Sequence, residues 1–133
     1  MIQEPSLDDW LTEAKNEPSA SQCGMYLAHN GVVRATPKAQ VRQGEQGLPE
    51  IASIVFSVDH EGVAHAEEDA RRMPGIYYVR TWLAEGQRHV GDSLMLILIG
   101  GDTRPHVIEC LEALLGTIKG KLVTEQEIPI DKC

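Results

Sequence analysis

Cysteine and aromatic residues are both scarce in this chain, and no apolar run in it approaches the length of a membrane span. Cys23, Cys110 and Cys133 are odd in number, widely separated and without Cys-x-x-Cys spacing, which leaves a disulfide framework or a zinc site unsupported. The longest apolar stretch, Leu94 to Ile99, is far short of the roughly 20 residues a spanning helix needs. The opening Met1-Ile2-Gln3-Glu4-Pro5 lacks a basic region followed by an apolar core, so a cytoplasmic protein is expected. Positive charge is also short: the net charge of −8 argues against non-specific nucleic-acid or membrane-surface binding, while leaving room for a local basic pocket. The five histidines, His29, His60, His65, His89 and His106, contain no pair at the i, i+4 spacing of a helical metal motif. His60 and His65, beside Asp59 and Glu61, read as a solvated loop and helix face. No Gly-x-x-x-x-Gly-Lys phosphate loop, nucleophile elbow or dinucleotide fingerprint is present, which removes the commonest enzyme classes; no cofactor and no metal are expected.

What is present is enough apolar residue for one core: 42% of 133 residues. The chain reads as a single domain over 1–133, with an N-terminal helix and lead-in over 1–20, a mobile loop over 35–50 and a C-terminal tail over 120–133. Ser6-Leu7-Asp8-Asp9 reads as a capping box opening a helix whose apolar side is Leu7, Trp10, Leu11 and Ala14. Strands are expected at about Met25 to Val33 and Ile51 to Val58. The connection between them, with Lys38 and Arg42, is long enough to be either mobile or used for binding. Val63, Ala66, Ala70 and Met73 form one stripe of a helix that Pro74-Gly75 ends.

The C-terminal half is the most informative. Ile76 to Leu83 and Leu94 to Ile99 read as hairpin partners, the second a continuous apolar run suited to a strand buried on both faces. Gly100 and Gly101 are expected to break that strand, and Asp102-Thr103 with Pro105 to start a helix. Val107, Ile108, Leu111, Leu114, Leu115 and Ile118 then recur along one helical face, with Lys119 in the last turn and Gly120 as the stop. Sequential strands with few helices give an α+β domain. Taken singly, Lys119 is a cation complementing a helix's negative end and Arg104 a surface charge at a turn. Their order changes the reading, because Gly31-Val32-Val33-Arg34 lies upstream and three cations at element ends can converge on an anion.

In order and spacing these segments resemble the large, catalytic subunit of molybdopterin synthase, the MoaE family. The likeness covers most of the chain: Gly31 to Arg34 at a strand end, a crossover into a helix through Gly62, a hairpin from Gly86 to Asp92, then the strand, the turn with Arg104 and the helix ending at Lys119. It implies an α/β-hammerhead fold with an antiparallel or mixed sheet, and a homodimer that forms a heterotetramer with a ubiquitin-like small subunit. It implies molybdenum cofactor biosynthesis: sulfur transfer from the small subunit's Gly-Gly thiocarboxylate tail (a MoaD-like partner) to cyclic pyranopterin monophosphate. Arg34 and Arg104 fall on positions lining the pterin and phosphate site, with Thr103 and Lys121 as further anion-binding candidates and Lys119 as the catalytic lysine. The chemistry suits these types, since arginine offers a forked, permanent cation to phosphate and carboxylate oxygens. A lysine crowded by other cations can exchange a proton or attack a carbonyl. The chain departs from the family at Leu83-Ala84 and Thr103-Arg104, each in place of His-Arg. Gln126, within Glu125-Gln126-Glu127, stands where the family has a second active-site lysine, and Lys121 is the nearby cation that could substitute. The alternative is a non-catalytic member that binds a pterin, a phosphate or a ubiquitin-like tail.

Overall fold

The computed structural model describes residues 3–44 and 46–130. Helix α1 (Leu7–Lys15) begins where expected: the Ser6 hydroxyl accepts the Asp9 backbone N–H at 3.2 Å, satisfying one of the orphan donors of the first turn. Trp10 and Ala14 are its buried side, and the Arg80 guanidinium stacks 4.7 Å above the Trp10 ring. After a 3-10 turn (Pro18–Gln22) come β1 (Met25–Val32), a short helix α2 (Lys38–Gln43), β2 (Ile51–Val58) and α3 (His60–Arg71). Then follow β3 (Ile76–Leu83), β4 (Gly86–His89), β5 (Ser93–Gly101), α4 (Arg104–Thr117), a π-helical turn (Ile118–Leu122) and β6 (Val123–Pro129). The connection read as a mobile loop thus contains a helix, and the segment read as a tail contains a strand.

The six strands among the described residues form two three-stranded antiparallel sheets, β1-β5-β3 and β4-β2-β6. Strand β5 is the axis of the first and is buried at every position. Its alternation serves two cores at once: Leu96 and Leu98 pack against Trp10 and Ala14 of α1, while Ile97 and Ile99 face Val107 and Leu114 of α4 and Val63 and Ala66 of α3. Each such side chain contributes about 1.5–3 kcal/mol on burial. The strand does not break at its glycines. It runs through Gly100 and Gly101, which pair with Tyr26 and Met25 on one side and with Tyr78 and Ile76 on the other. The reason is close approach: a Cβ on Gly100 would lie 2.6 Å from the Tyr26 ring, and one on Gly101 would lie 2.7 Å from both the Gly75 carbonyl and Val107.

Helix α4 then runs back along β5 with Val107, Cys110, Leu114 and, just beyond its end, Ile118 buried. Gly120 does not stop the chain in a C-cap. The backbone widens instead into the π-turn, a local irregularity that often marks functional sites. The first turn of α3 buttresses it: the Asp59 N–H donates to the Leu122 carbonyl at 2.8 Å, and Gly62 abuts the Leu122 side chain where a Cβ would collide. Asp59 caps α3 by accepting the Gly62 N–H at 3.0 Å. The packing of α3 on the π-turn therefore requires glycine at position 62.

Candidate functional site

A cleft of about 80 Å3 opens where the two sheets meet the π-turn. Its floor is Ile54 and Phe56 of β2 with Leu94 and Met95 of β5, and its wall is Gly31 to Arg34. Arg34 lies exposed at the rim, its Nε donating to the Thr36 carbonyl at 3.2 Å. Lys119 enters from the π-turn, and α2 brings Lys38 and Arg42, one helical turn apart on the same face. Strand β6 adds Glu125 and Glu127. Four cations therefore face two carboxylates, a local surplus of positive charge on a chain whose net charge is −8.

Strand alternation decides which residues of β6 take part. Glu125 pairs with Phe56 and Glu127 with Ile54, and residues directly opposite share a face, so both glutamates stand on the side of the core and cleft. Gln126 pairs with Val55 and is exposed on the other side. Lys38 is clasped by both glutamates: its Nζ lies 3.0 Å from Glu125 Oε1, and its backbone N–H donates to Glu127 Oε2 at 2.9 Å. Behind the wall sits His29, on the same face of β1 as Gly31. Its Nε2 is buried without a hydrogen-bond partner among the described residues, 3.5 Å from where a Gly31 Cβ would be. Burial first, and then the Lys119 charge, hold the His29 imidazole toward its neutral form.

Of the residues singled out from sequence, Arg34 and Lys119 come together in this cleft. Lys121 is exposed on the π-turn and is not among its lining residues. Thr103 and Arg104 lie at the opposite end of β5, beside a shallow groove formed with Pro105, Ile108, Glu109 and Glu112. From Met95 to Gly101 is about 20 Å of strand, so within one protomer Arg104 does not reach Lys119. Thr103 occupies the N-cap position of α4 without a side-chain cap; its N–H and hydroxyl both donate to the Asp102 carboxylate, at 2.6 and 3.3 Å. Asp102 also pairs with His106 Nδ1 at 2.7 Å, which is the first cause of its lowered pKa. The sequence reading did not single out His29, Lys38, Arg42, Glu125 or Glu127 as site residues. The i, i+2 spacing of Glu125 and Glu127 was a usable signal for the last two, since strand residues two apart share a face.

His60 binds Glu85 at 2.9 Å, tying the start of α3 to the β3–β4 connection, and no cluster of three or more metal-ligating side chains occurs among the described residues. Cys110 is buried, with its thiol pushed up to about 11 by desolvation, and Cys133 lies outside the described residues. Among the described residues, no helix is long and apolar enough to cross a membrane.

No family model matches the sequence, and no curated protein matches it. Solved structures do. Molybdopterin synthase from Staphylococcus aureus superposes with a TM-score of 0.75 at 15% identity, covering 98% of this chain and 89% of that one. The chain has the MoaE fold. Molybdopterin cofactor biosynthesis protein E from Burkholderia multivorans gives a TM-score of 0.69 at 14% identity over 96% of this chain and 83% of that one. A complex of subunits 1 and 2 of molybdopterin-converting factor from Helicobacter pylori gives 0.66 at 16% identity, over 96% and 82%. At these identities it is the fold that is shared, and the α+β architecture with its antiparallel sheets agrees with it. The cleft chemistry has to be argued from this chain's own residues.

Proposed function

We propose that this chain serves molybdenum cofactor biosynthesis as the large subunit of a molybdopterin synthase, taking sulfur from a thiocarboxylated small subunit onto cyclic pyranopterin monophosphate. The observation that carries the reading is the meeting of Arg34 and Lys119, 85 positions apart in sequence, in one cationic cleft of a MoaE fold. Arg34 serves as the clamp for phosphate or thiocarboxylate oxygens, and Lys119 as the group that exchanges a proton or attacks the acyl carbon. The Helicobacter pylori complex of two subunits supports a small protein partner.

The cleft has room for two or three waters at roughly 30 Å3 each, whereas ligand pockets run to roughly 300–1,000 Å3. It therefore receives the anionic end of the substrate, and the rest of the site is built outside it. A homodimer is the arrangement in which Arg104 and Thr103, remote within one protomer, can serve a partner's cleft. Lys121, exposed on the π-turn and outside the cleft lining, is left for contacts beyond the cleft.

The test is single-turnover conversion of cyclic pyranopterin monophosphate by the purified chain with thiocarboxylated small subunit, run beside Lys119→Ala. Product from the native chain that disappears in Lys119→Ala supports the synthase. Tight binding of the small subunit with no product from the native chain overturns the synthase reading and leaves a binding protein.

A further inference from the structure

We propose that Glu125 is a built-in stand-in for the ligand's anion, and that Lys38 is the ligand-binding cation it holds in reserve. The inference rests on the cationic-cleft reading above and goes beyond it to the question of which anions the cleft admits.

The two glutamates of β6 hold Lys38 in different ways. Glu127 takes the backbone N–H at 2.9 Å, a bond that anchors the start of α2 and leaves the lysine's charge free. Glu125 takes the side-chain ammonium at 3.0 Å, with the lysine side chain 32% exposed and the glutamate 18% exposed. Only the second bond occupies a cation that an anion in the cleft would seek. Both bonds join segments some 87 or more positions apart and draw α2, with Arg42, down onto the cleft.

A carboxylate offers two oxygens and one charge. A phosphate monoester offers three free oxygens and nearly two charges, enough to engage Arg34, Lys38 and Lys119 together. The exchange is a competition for one donor: the Lys38 ammonium leaves Glu125 for the phosphate, and no covalent bond changes. Once released, Glu125 is a fixed negative charge beside the bound anion. It therefore costs every ligand something, and only an anion touching several cations at once recovers that cost. Glu125 thus acts as a specificity determinant, favouring phosphate monoesters over simple carboxylates. The same competition removes one of the two bonds that tie α2 to β6, so α2 loosens as the phosphate enters while the Glu127 bond keeps its start anchored.

The experiment is calorimetric titration of the full chain with inorganic phosphate and, separately, with acetate, at low ionic strength. It is run on the native chain, Glu125→Gln, Lys38→Met, the double variant and Arg34→Ala, with circular dichroism confirming that each is folded. Glu125→Gln is expected to bind phosphate about five-fold more tightly, the size of a half-buried ion pair, and to gain at least as much for acetate. Lys38→Met is expected to weaken phosphate binding and to abolish the gain from Glu125→Gln. Amide exchange over 38–43 is expected to quicken when phosphate is added to the native chain. Equal phosphate affinity in the native chain and Glu125→Gln, with binding lost in Arg34→Ala, overturns the role of Glu125 and leaves the cationic cleft standing. Absence of phosphate binding in both folded proteins, or binding indifferent to Arg34→Ala, overturns the inference and the anion site beneath it.

Discussion

The two ends of β5 carry similar residue types and put them to different use. At the Gly101 end, Asp102 accepts the Thr103 N–H and hydroxyl and pairs with His106, all within four positions of sequence, and Arg104 stands in an open groove. At the Met95 end, charges arrive from β1, α2, β6 and the π-turn and face each other across a cleft. Local satisfaction leaves a self-contained cluster; long-range convergence produces a site. What separates the ends is the supply of neighbours: α4 begins at one end, and the second sheet closes over the other.

The largest test of that difference is catalytic. Lys119→Ala should lower single-turnover product formation by about 10²–10⁴-fold, the range for loss of a positioned proton-transfer group, with little change in melting temperature. Arg104→Ala should also lose activity if the far end serves a partner's cleft, and mixing the two inactive variants should then restore product. A mixture that stays inactive would confine Arg104 to its own groove.

Next comes the glycine contrast. Gly101→Ala places a Cβ 2.7 Å from a carbonyl oxygen and a valine methyl, and should cost about 1–3 kcal/mol in urea unfolding. Gly31→Ala, at the cleft end, meets nothing nearer than His29 Nε2 at 3.5 Å and should cost under about 1 kcal/mol. Equal costs would mean that the cleft wall is as tightly packed as the strand end.

Smaller again is the acid response of His29. Its folded-state pKa lies below the ordinary 6.5 because of burial and then Lys119, so below pH 6.5 the unfolded chain binds the proton more readily than the folded one. The stability tied to His29 is therefore complete above pH 6.5 and falls as the pH drops from there through the folded pKa. Melting temperatures at pH 7.0 and 5.5 should differ less for His29→Asn than for the native chain, and Lys119→Ala should shrink the difference part of the way. The depressed carboxyls Asp102 and Glu85 lose their contribution only at lower pH, starting from their ordinary values of 3.8 and 4.5. An unchanged pH slope in His29→Asn would remove the link between that imidazole and the cleft.

The smallest expected effect is that of Gln126→Lys. Facing away from the cleft, it should alter stability by within about 0.5 kcal/mol and leave phosphate affinity unchanged. A gain in affinity would mean that the register of β6 differs when ligand is bound.

Much of the fold was legible in the residues. The unbroken apolar run of β5, the stripes of α3 and α4 and the Ser6 cap follow from periodicity and capping chemistry, and Gly-x-x-Arg with the helix-end lysine named two cations that the fold brings to one cleft. The errors fell where neighbours decide. Glycine reads as a breaker, yet Gly100 and Gly101 sit inside a strand because Tyr26 and Val107 come too close for any side chain. Gly120 reads as a stop, yet the chain continues through a π-turn that α3 supports. Lys38 reads as one charge in a polar connection, since nothing local reveals partners on β6.

The sequence by itself therefore determined most of the segments that form elements, though not α2 or β6, which of their faces are apolar, and that Arg34 and Lys119 lie close to the ends of two of them. Those properties depend on residues within a few positions of one another, where side-chain period and backbone preference act. Only the tertiary structure decided that Arg34 meets Lys119 while Arg104 does not, and that Glu125 and Glu127, rather than Gln126, face the cleft. Those outcomes depend on strand register and on the direction in which α4 returns along β5, which are settled by packing across the whole chain.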